Sequence, residues 1–283
     1  MSWFLFALIS LLGWGFADLF YKKGTDEDDR YSHLKIAVWV GLVMGVCSFI
    51  LMPFAEMDLS FGSFISAAVR YSPASLCYII SMDIGYAGLR YLELSIVSPV
   101  QNASGALSTV FMIIYFVFIG RISYFWDEFS VLDVVGSVVI TLGVIALAVV
   151  EHYLGNKEHP PVIDPVTGKK VRDKHVFGAL ALLFPILYCI FDTIGTAADG
   201  IILDEEAGLG LGEIDVLIIY GLTFLLMGIV SWIYMWIRCK KPYNPFARSE
   251  WNKGIAACCE EFGQIFYVYA MASNPMLSAP MIG

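Results

Sequence analysis

Apolar residues run along this chain in stretches of about twenty, each closed by a short polar loop. A membrane-spanning helix needs about 20 mostly apolar residues, and the pattern predicts eight of them, at 2–21, 34–54, 72–91, 94–120, 131–150, 175–198, 214–237 and 254–271. A ninth begins near Pro275. Between the fifth and sixth lies a polar stretch with His159-Pro160-Pro161 and Asp164-Pro165, which has no helical periodicity and reads as a linker.

The segments repeat. Asp83 and Gln264, Tyr86 and Tyr267, and Pro99 and Pro280 are each 181 residues apart, while Gly24-Thr25 and Gly195-Thr196 are 171 apart. Two such close registers indicate one duplicated unit with a loop-length difference. The expected fold is an all-α polytopic membrane protein made of two five-helix repeats of inverted topology. Residues 1–151 form the first repeat, 152–174 the polar linker and 175–283 the second repeat. Repeats are similar in extent, so the second would run to about residue 325. Within 283 residues it is therefore expected to be incomplete, with the start of a ninth helix and no tenth.

Composition agrees with a membrane protein. With 58% hydrophobic residues, 15% charged residues and a mean hydropathy of +0.72, the chain lacks the roughly one-quarter charged content of a soluble domain. The formal net charge of −9 arises mostly from short loops and gives no support to nucleic-acid binding. The six cysteines form no CxxC pair and lie near no histidine cluster, so neither a disulfide frame nor a metal site is expected. The first apolar stretch lacks a basic leader and a small-residue cleavage site, and reads as a retained span. If the spans alternate across the bilayer, all of the 17 Lys and Arg except Arg70 and Arg121 fall on one side. The positive-inside rule then places the N-terminus outside and the linker in the cytoplasm.

An ionisable residue at bilayer depth costs at least about 2.5–3.5 kcal/mol and is by default a functional candidate. Asp18, Asp83, Asp192, Glu260 and Glu261 qualify, and basic residues are nearly absent at that depth. Such a cavity favours protons or cationic groups over phosphate-bearing anions. Trp14, Asp18 and Lys22 share one stripe of the first span, which faces either a pore or an Asp18–Lys22 ion pair. Asp83, with Tyr86 and Arg90 beyond it, is the deepest acid of the first half and a candidate proton carrier. Pro99, Gln101, Asn102, Ser104 and Gly105 mark a broken start to the fourth span, where freed backbone groups are satisfied within the protein or by a ligand. In the second half Pro185, Tyr188 and Asp192 share a stripe, and Glu260, Gln264 and Tyr267 follow in the eighth span. Gly41 and Gly45 form a GxxxG pair, and Gly136 and Gly143 lie a heptad apart, as close-packing devices.

Trp14-Gly15-Phe16, Tyr86-Ala87-Gly88-Leu89-Arg90-Tyr91 through Ser98-Pro99-Val100, Asp133-Val134-Val135-Gly136-Ser137, and Tyr267-Val268-Tyr269-Ala270 through Ala279-Pro280 occur in an order that resembles the drug/metabolite transporter superfamily, specifically its EamA-type ten-helix group. The resemblance implies a central cavity between the repeats, lined mainly by spans one, three, four, six, eight and nine, and both termini in the cytoplasm. That orientation is opposite to the one the loop charges give. The expected function is secondary transport of a small polar or cationic metabolite or drug by alternating access, with proton coupling. The candidate substrate- and proton-binding residues are Trp14, Asp18, Asp83, Tyr86, Gln101, Asn102, Tyr188, Asp192, Glu260, Gln264 and Tyr267. No cofactor is implied. Expected partners are a small-molecule substrate, protons, the lipid bilayer of a plasma or inner membrane and, as an open alternative, a second copy in a homodimer. A channel, or a membrane scaffold or enzyme, is the competing reading. The enzyme reading is weakened by the absence of HExxH, GxSxG or a histidine cluster, the channel reading by a two-fold repeat inside one chain where pore rings usually require an oligomer, and the absence of a P-loop means that a primary pump would need a partner subunit.

Overall fold

The computed structural model describes residues 3–92, 94–120, 183–204 and 208–282, with isolated positions from 135 to 181. Its helices are α1 (Trp3–Gly24), α2 (Ser32–Leu51), α3 (Phe61–Gly88), α4 (Leu94–Gln101), α5 (Ala103–Phe118), α6 (Leu183–Ile202), α7 (Glu213–Cys239), α8 (Trp251–Ser273) and α9 (Pro275–Ile282). A 3₁₀ turn at Met52–Phe54 extends α2. A two-residue antiparallel ladder pairs β1 (Val162–Ile163) with β2 (Lys170–Val171) in the linker. Most of the predicted span at 131–150, most of the linker and the first residues of the sixth span lie outside the described residues.

Among the described residues, four helices, α1, α2 with its turn, α6 and α7, are long and apolar enough to cross a membrane. The chain is an integral membrane protein. Phe4, Leu12, Phe16 and Leu19 on α1, and Leu226, Val230 and Ile237 on α7, turn outward, as a bilayer solvent requires. At 28 and 23 residues α3 and α8 are also long, and they carry much of the polar content inside the bundle.

Two predicted boundaries move. The third span was expected from residue 72, but α3 starts at Phe61 and holds Pro73 inside it. The sixth was expected to close at 198, but α6 continues to Ile202 and draws Asp199 into the helix. The expected break in the fourth span is present, with α4 ending at Gln101 and α5 starting at Ala103.

Helices α1 and α8 pack along one another, as do α3 and α6, and α2 and α7. The α2–α7 crossing is glycine-built. A Cβ on Gly41 would lie 2.5 Å from the Phe224 carbonyl oxygen and 2.9 Å from Gly228 Cα, so the backbones touch. Gly45 meets Leu225 along the same seam, in line with the close-packing role of the GxxxG pair.

Contacts between loops sort the helix ends into two layers. At one end Arg90 Nε donates to the Glu27 carbonyl at 2.7 Å, Lys35 pairs with Asp29 at 2.6 Å, and Phe184 stacks on Tyr91. Burial works against the charge on Asp29, but the Lys35 ammonium and the Tyr31 N–H outweigh it and hold this loop carboxyl below the usual carboxylate range. Lys35 also lies over the Tyr243 ring, and Lys253 pairs with Glu250, which docks the α7–α8 connection at the same end. At the other end Arg70 donates to the Leu209 carbonyl, and Asp215 accepts the Glu56 and Met57 N–H groups at 3.0 and 3.2 Å. The basic residues of the described loops thus gather at one end, with Arg70 at the other.

Asp215 is 3% exposed and ties α7 to the α2–α3 connection. Both N–H groups share one carboxylate oxygen, Oδ1, and a charge-assisted contact of this kind contributes about 1.5–3 kcal/mol. Asp215→Ala is expected to lower the stability of the purified protein by about 2 kcal/mol, read as a fall in Tm with binding at the bundle centre unchanged.

Candidate functional site

The central cavity follows from helical periodicity. On α1 the residues facing inward are Trp14, Ala17, Asp18 and Tyr21, on α3 Tyr78, Met82, Gly85, Tyr86 and Leu89, on α6 Tyr188 and Asp192, and on α8 Glu260 and Gln264. Each set recurs at three- and four-residue steps and forms one helix stripe. Gln101, Asn102 and Ser104 enter from the α4–α5 break, Tyr220 from α7 and Ile282 from α9, enclosing about 80 Å³. Gly85 makes room at the centre: a Cβ there would lie 2.7 Å from the Tyr188 ring and 2.9 Å from Gln101 Nε2.

Ten of the eleven predicted site residues belong to this wall or touch it. Trp14, Asp18, Tyr86, Gln101, Asn102, Tyr188, Asp192, Glu260 and Gln264 line it. Tyr267 sits one layer away, its ring 5.1 Å from that of Trp14 and its hydroxyl 2.6 Å from that of Tyr78. Asp83 is not among the lining residues. It falls one position off the α3 stripe, about 100° round the helix from Met82, and its Oδ1 is buried with no hydrogen-bond partner. Tyr21, Tyr78 and Tyr220 were missed, although Tyr21 and Tyr78 continue the stripes of Asp18 and Tyr86 at helical spacing.

At the end of the cavity nearest the basic layer, Glu260 is 2% exposed and accepts hydrogen bonds from the Tyr21 hydroxyl and, at 3.0 Å, from the Tyr86 hydroxyl. The two tyrosine rings lie 4.9 Å apart. Asp192 accepts from the Ser104 hydroxyl at 2.6 Å, which joins α6 to the broken helix. The expected alternative of an Asp18–Lys22 pair is not formed. Lys22 instead donates to the Leu89 and Leu92 carbonyls at 2.8 and 3.1 Å and pairs with Glu27, tying α1 to the α3–α4 connection above the cavity. Glu261 is also buried, on a different face of α8 from Glu260 and beside Cys47 of α2.

Two donors in the wall, Trp14 Nε1 and Gln264 Nε2, are buried without a partner. Native proteins rarely leave buried donors unmatched, and such groups call for an explanation. No group of three His, Cys, Asp or Glu side chains suited to a metal ion occurs among the described residues.

No family model matches the chain, and no curated protein matches it. The wall chemistry is therefore the guide to what the cavity takes. It offers carboxylates, aromatic faces and two unmatched N–H donors, and no lysine, arginine or histidine is among its described lining residues.

Proposed function

We propose that the chain is a secondary transporter of a small cationic metabolite, working by alternating access between two five-helix repeats, as in the drug/metabolite transporter superfamily it resembles. The carrying observation is that Asp18, Asp192 and Glu260 line one cavity within the helix bundle whose described wall has no basic side chain. Uncompensated charge at this depth is costly, so the complementary occupant is a cation. The ring faces of Trp14, Tyr86 and Tyr188 add attraction of roughly 0.5–2 kcal/mol to an ammonium group. The free donors of Trp14 and Gln264 suit an occupant that also carries an acceptor oxygen. An amino alcohol has both features.

Helix pairing supports the two-repeat part of this reading. Exchanging the first and sixth spans, and the third and eighth, turns the α1–α8 contact into the α6–α3 contact, while α2 against α7 maps onto itself. The 181-residue register also relates Asp18 of α1 to Asp199 of α6. The 171-residue pairing does not relate equivalent places, since Gly24 ends α1 beside Lys253 whereas Gly195 lies within α6 against Tyr78. With the basic end toward the cytoplasm, rocking of one repeat against the other would expose the cavity to each side in turn.

Counterflow of radiolabelled ethanolamine into proteoliposomes tests the transport reading. Asp192→Asn is expected to reduce saturable uptake about tenfold or more, the loss of one charge-assisted contact, while Asp83→Asn leaves it unchanged. Uptake insensitive to Asp192→Asn but lost in Asp83→Asn would place the path elsewhere.

A further inference from the structure

Asp199 lies in the last turn of α6, toward the end of the bundle away from the basic layer, and it is not among the residues lining the cavity. Its side chain is fully buried. Oδ1 accepts from the Tyr71 hydroxyl at 2.7 Å, and Oδ2 is buried with no partner in hydrogen-bond geometry. Three helices supply the groups that face it. Tyr71 and Tyr78 come from α3, Tyr267 from α8 and Tyr220 from α7, while Thr196 and Asp192 belong to α6 itself. Next to it, Gly200 abuts Met112 of α5 and Pro275 of α9, which are apolar. None of these groups is basic.

A carboxylate in such a place has hydroxyl donors but no counter-charge. An isolated buried charge is among the costliest features of a folded chain, and carboxyl groups enclosed in this way within the bilayer are characteristic of proton relays. The unpartnered Oδ2 is the position at which a proton would sit, while Tyr71 continues to donate to Oδ1.

We propose that Asp199 is a proton-binding site separate from the cavity, loaded and emptied from the end of the bundle away from the basic layer. On release the Oδ2–H bond breaks and the proton passes to water. The carboxylate left behind keeps the Tyr71 hydroxyl on Oδ1, with the Tyr78 and Tyr267 hydroxyls close by. Tyr78 links this site to the cavity, because its ring forms part of the cavity wall while its hydroxyl bonds Thr196 at 3.1 Å and Tyr267 at 2.6 Å. The duplication gives a second reason to pair the two places. Asp199 and Tyr267 stand 181 residues after Asp18 and Tyr86, both of which line the cavity, so the proton site is the counterpart of the cavity acid in the other half. Proton binding rests on the cluster alone, and only its coupling to transport rests on the function proposed above.

Infrared difference spectra of the full chain in nanodiscs, recorded between acid and alkaline pH with isotope-labelled aspartate, test this directly. Wild type is expected to show a protonated aspartic-acid carbonyl band that is lost in Asp199→Asn and retained in Glu260→Gln. Tyr71→Phe is expected to keep the band but shift its frequency and its titration, which provides the answer if Asp199→Asn does not fold. The proposal is overturned if the aspartate bands of Asp199→Asn match those of wild type, if Tyr71→Phe changes nothing, or if sodium at fixed pH removes the band, which would make the site a metal-cation site. The band is independent of flux, so its presence without transport would sink only the transport reading, and transport without the band would sink only the proton site.

Discussion

Glu260→Gln is expected to abolish saturable uptake while leaving the fold intact. Glu260 is the most enclosed carboxylate of the cavity and is held by the Tyr21 and Tyr86 hydroxyls. Glutamine keeps the size and one acceptor but removes the charge that an ammonium group would meet, and it turns an NH₂ toward two hydroxyl donors. A charge-assisted contact contributes about 1.5–3 kcal/mol, so the loss is about 10- to 100-fold in apparent affinity, before any effect on the conformational cycle. Stability should move the other way or not at all, because a buried charge without a basic partner does not stabilise a fold. Paired measurements of flux and Tm check this split. A variant with normal uptake, or one that fails only by misfolding, would remove Glu260 from the site.

Gly41→Leu is expected to be the most damaging packing change. The α2–α7 seam brings Gly41 against the backbone at Phe224 and Gly228, where even a methyl carbon would have to sit at 2.5 Å from a carbonyl oxygen. Backbone cannot yield as a flexible side chain can, so the helices must separate. Overpacking costs about 1–3 kcal/mol in ordinary cores, occasionally more, and this site should lie at the upper end because close helix approach holds membrane bundles together. Gly15→Ala is the control, since nothing lies within 4 Å of its Cβ position. Yield of monodisperse protein and Tm should fall sharply for the first variant and stay level for the second.

Much of this was legible in the sequence because the bilayer imposes simple rules. Apolar runs located α1, α2, α7 and α8 closely, and Pro99 through Gly105 marked the interruption between α4 and α5. Asp18, Asp192 and Glu260 stood out because charges inside apolar runs are costly wherever they occur. Depth, however, does not fix direction. Asp83 was the most central acid of its span, yet the cavity face of α3 is set by Tyr78, Met82, Gly85, Tyr86 and Leu89, a stripe that passes it by. Asp199 does not stand out in the sequence because the apolar run closes the sixth span at 198, one residue short of it. Its spacing carried the missing signal, since Tyr188, Asp192, Thr196 and Asp199 recur at helical steps along one face of α6. Which aromatic rings meet, as Tyr21 meets Tyr86 and Trp14 meets Tyr267, depends on how helices distant in sequence pack together, and no local pattern encodes it.

Tyr78 belongs both to the cavity wall and to the hydroxyl cluster beside Asp199, so on the two proposals above it would stand between the occupant and the proton. If the proposed function holds, the cavity selects positive charge. A ligand that binds the folded state raises stability by mass action, by about 2.7 kcal/mol at 100 times its Kd. The most direct test is therefore the Tm of the purified full chain against a panel of small primary and quaternary ammonium compounds beside neutral and anionic analogues of the same size. A concentration-dependent rise in Tm is expected with the ammonium compounds, lost in Glu260→Gln, and none with the neutral or anionic analogues. Equal or greater stabilisation by the anions, or ammonium stabilisation that survives in Glu260→Gln, would contradict this selectivity.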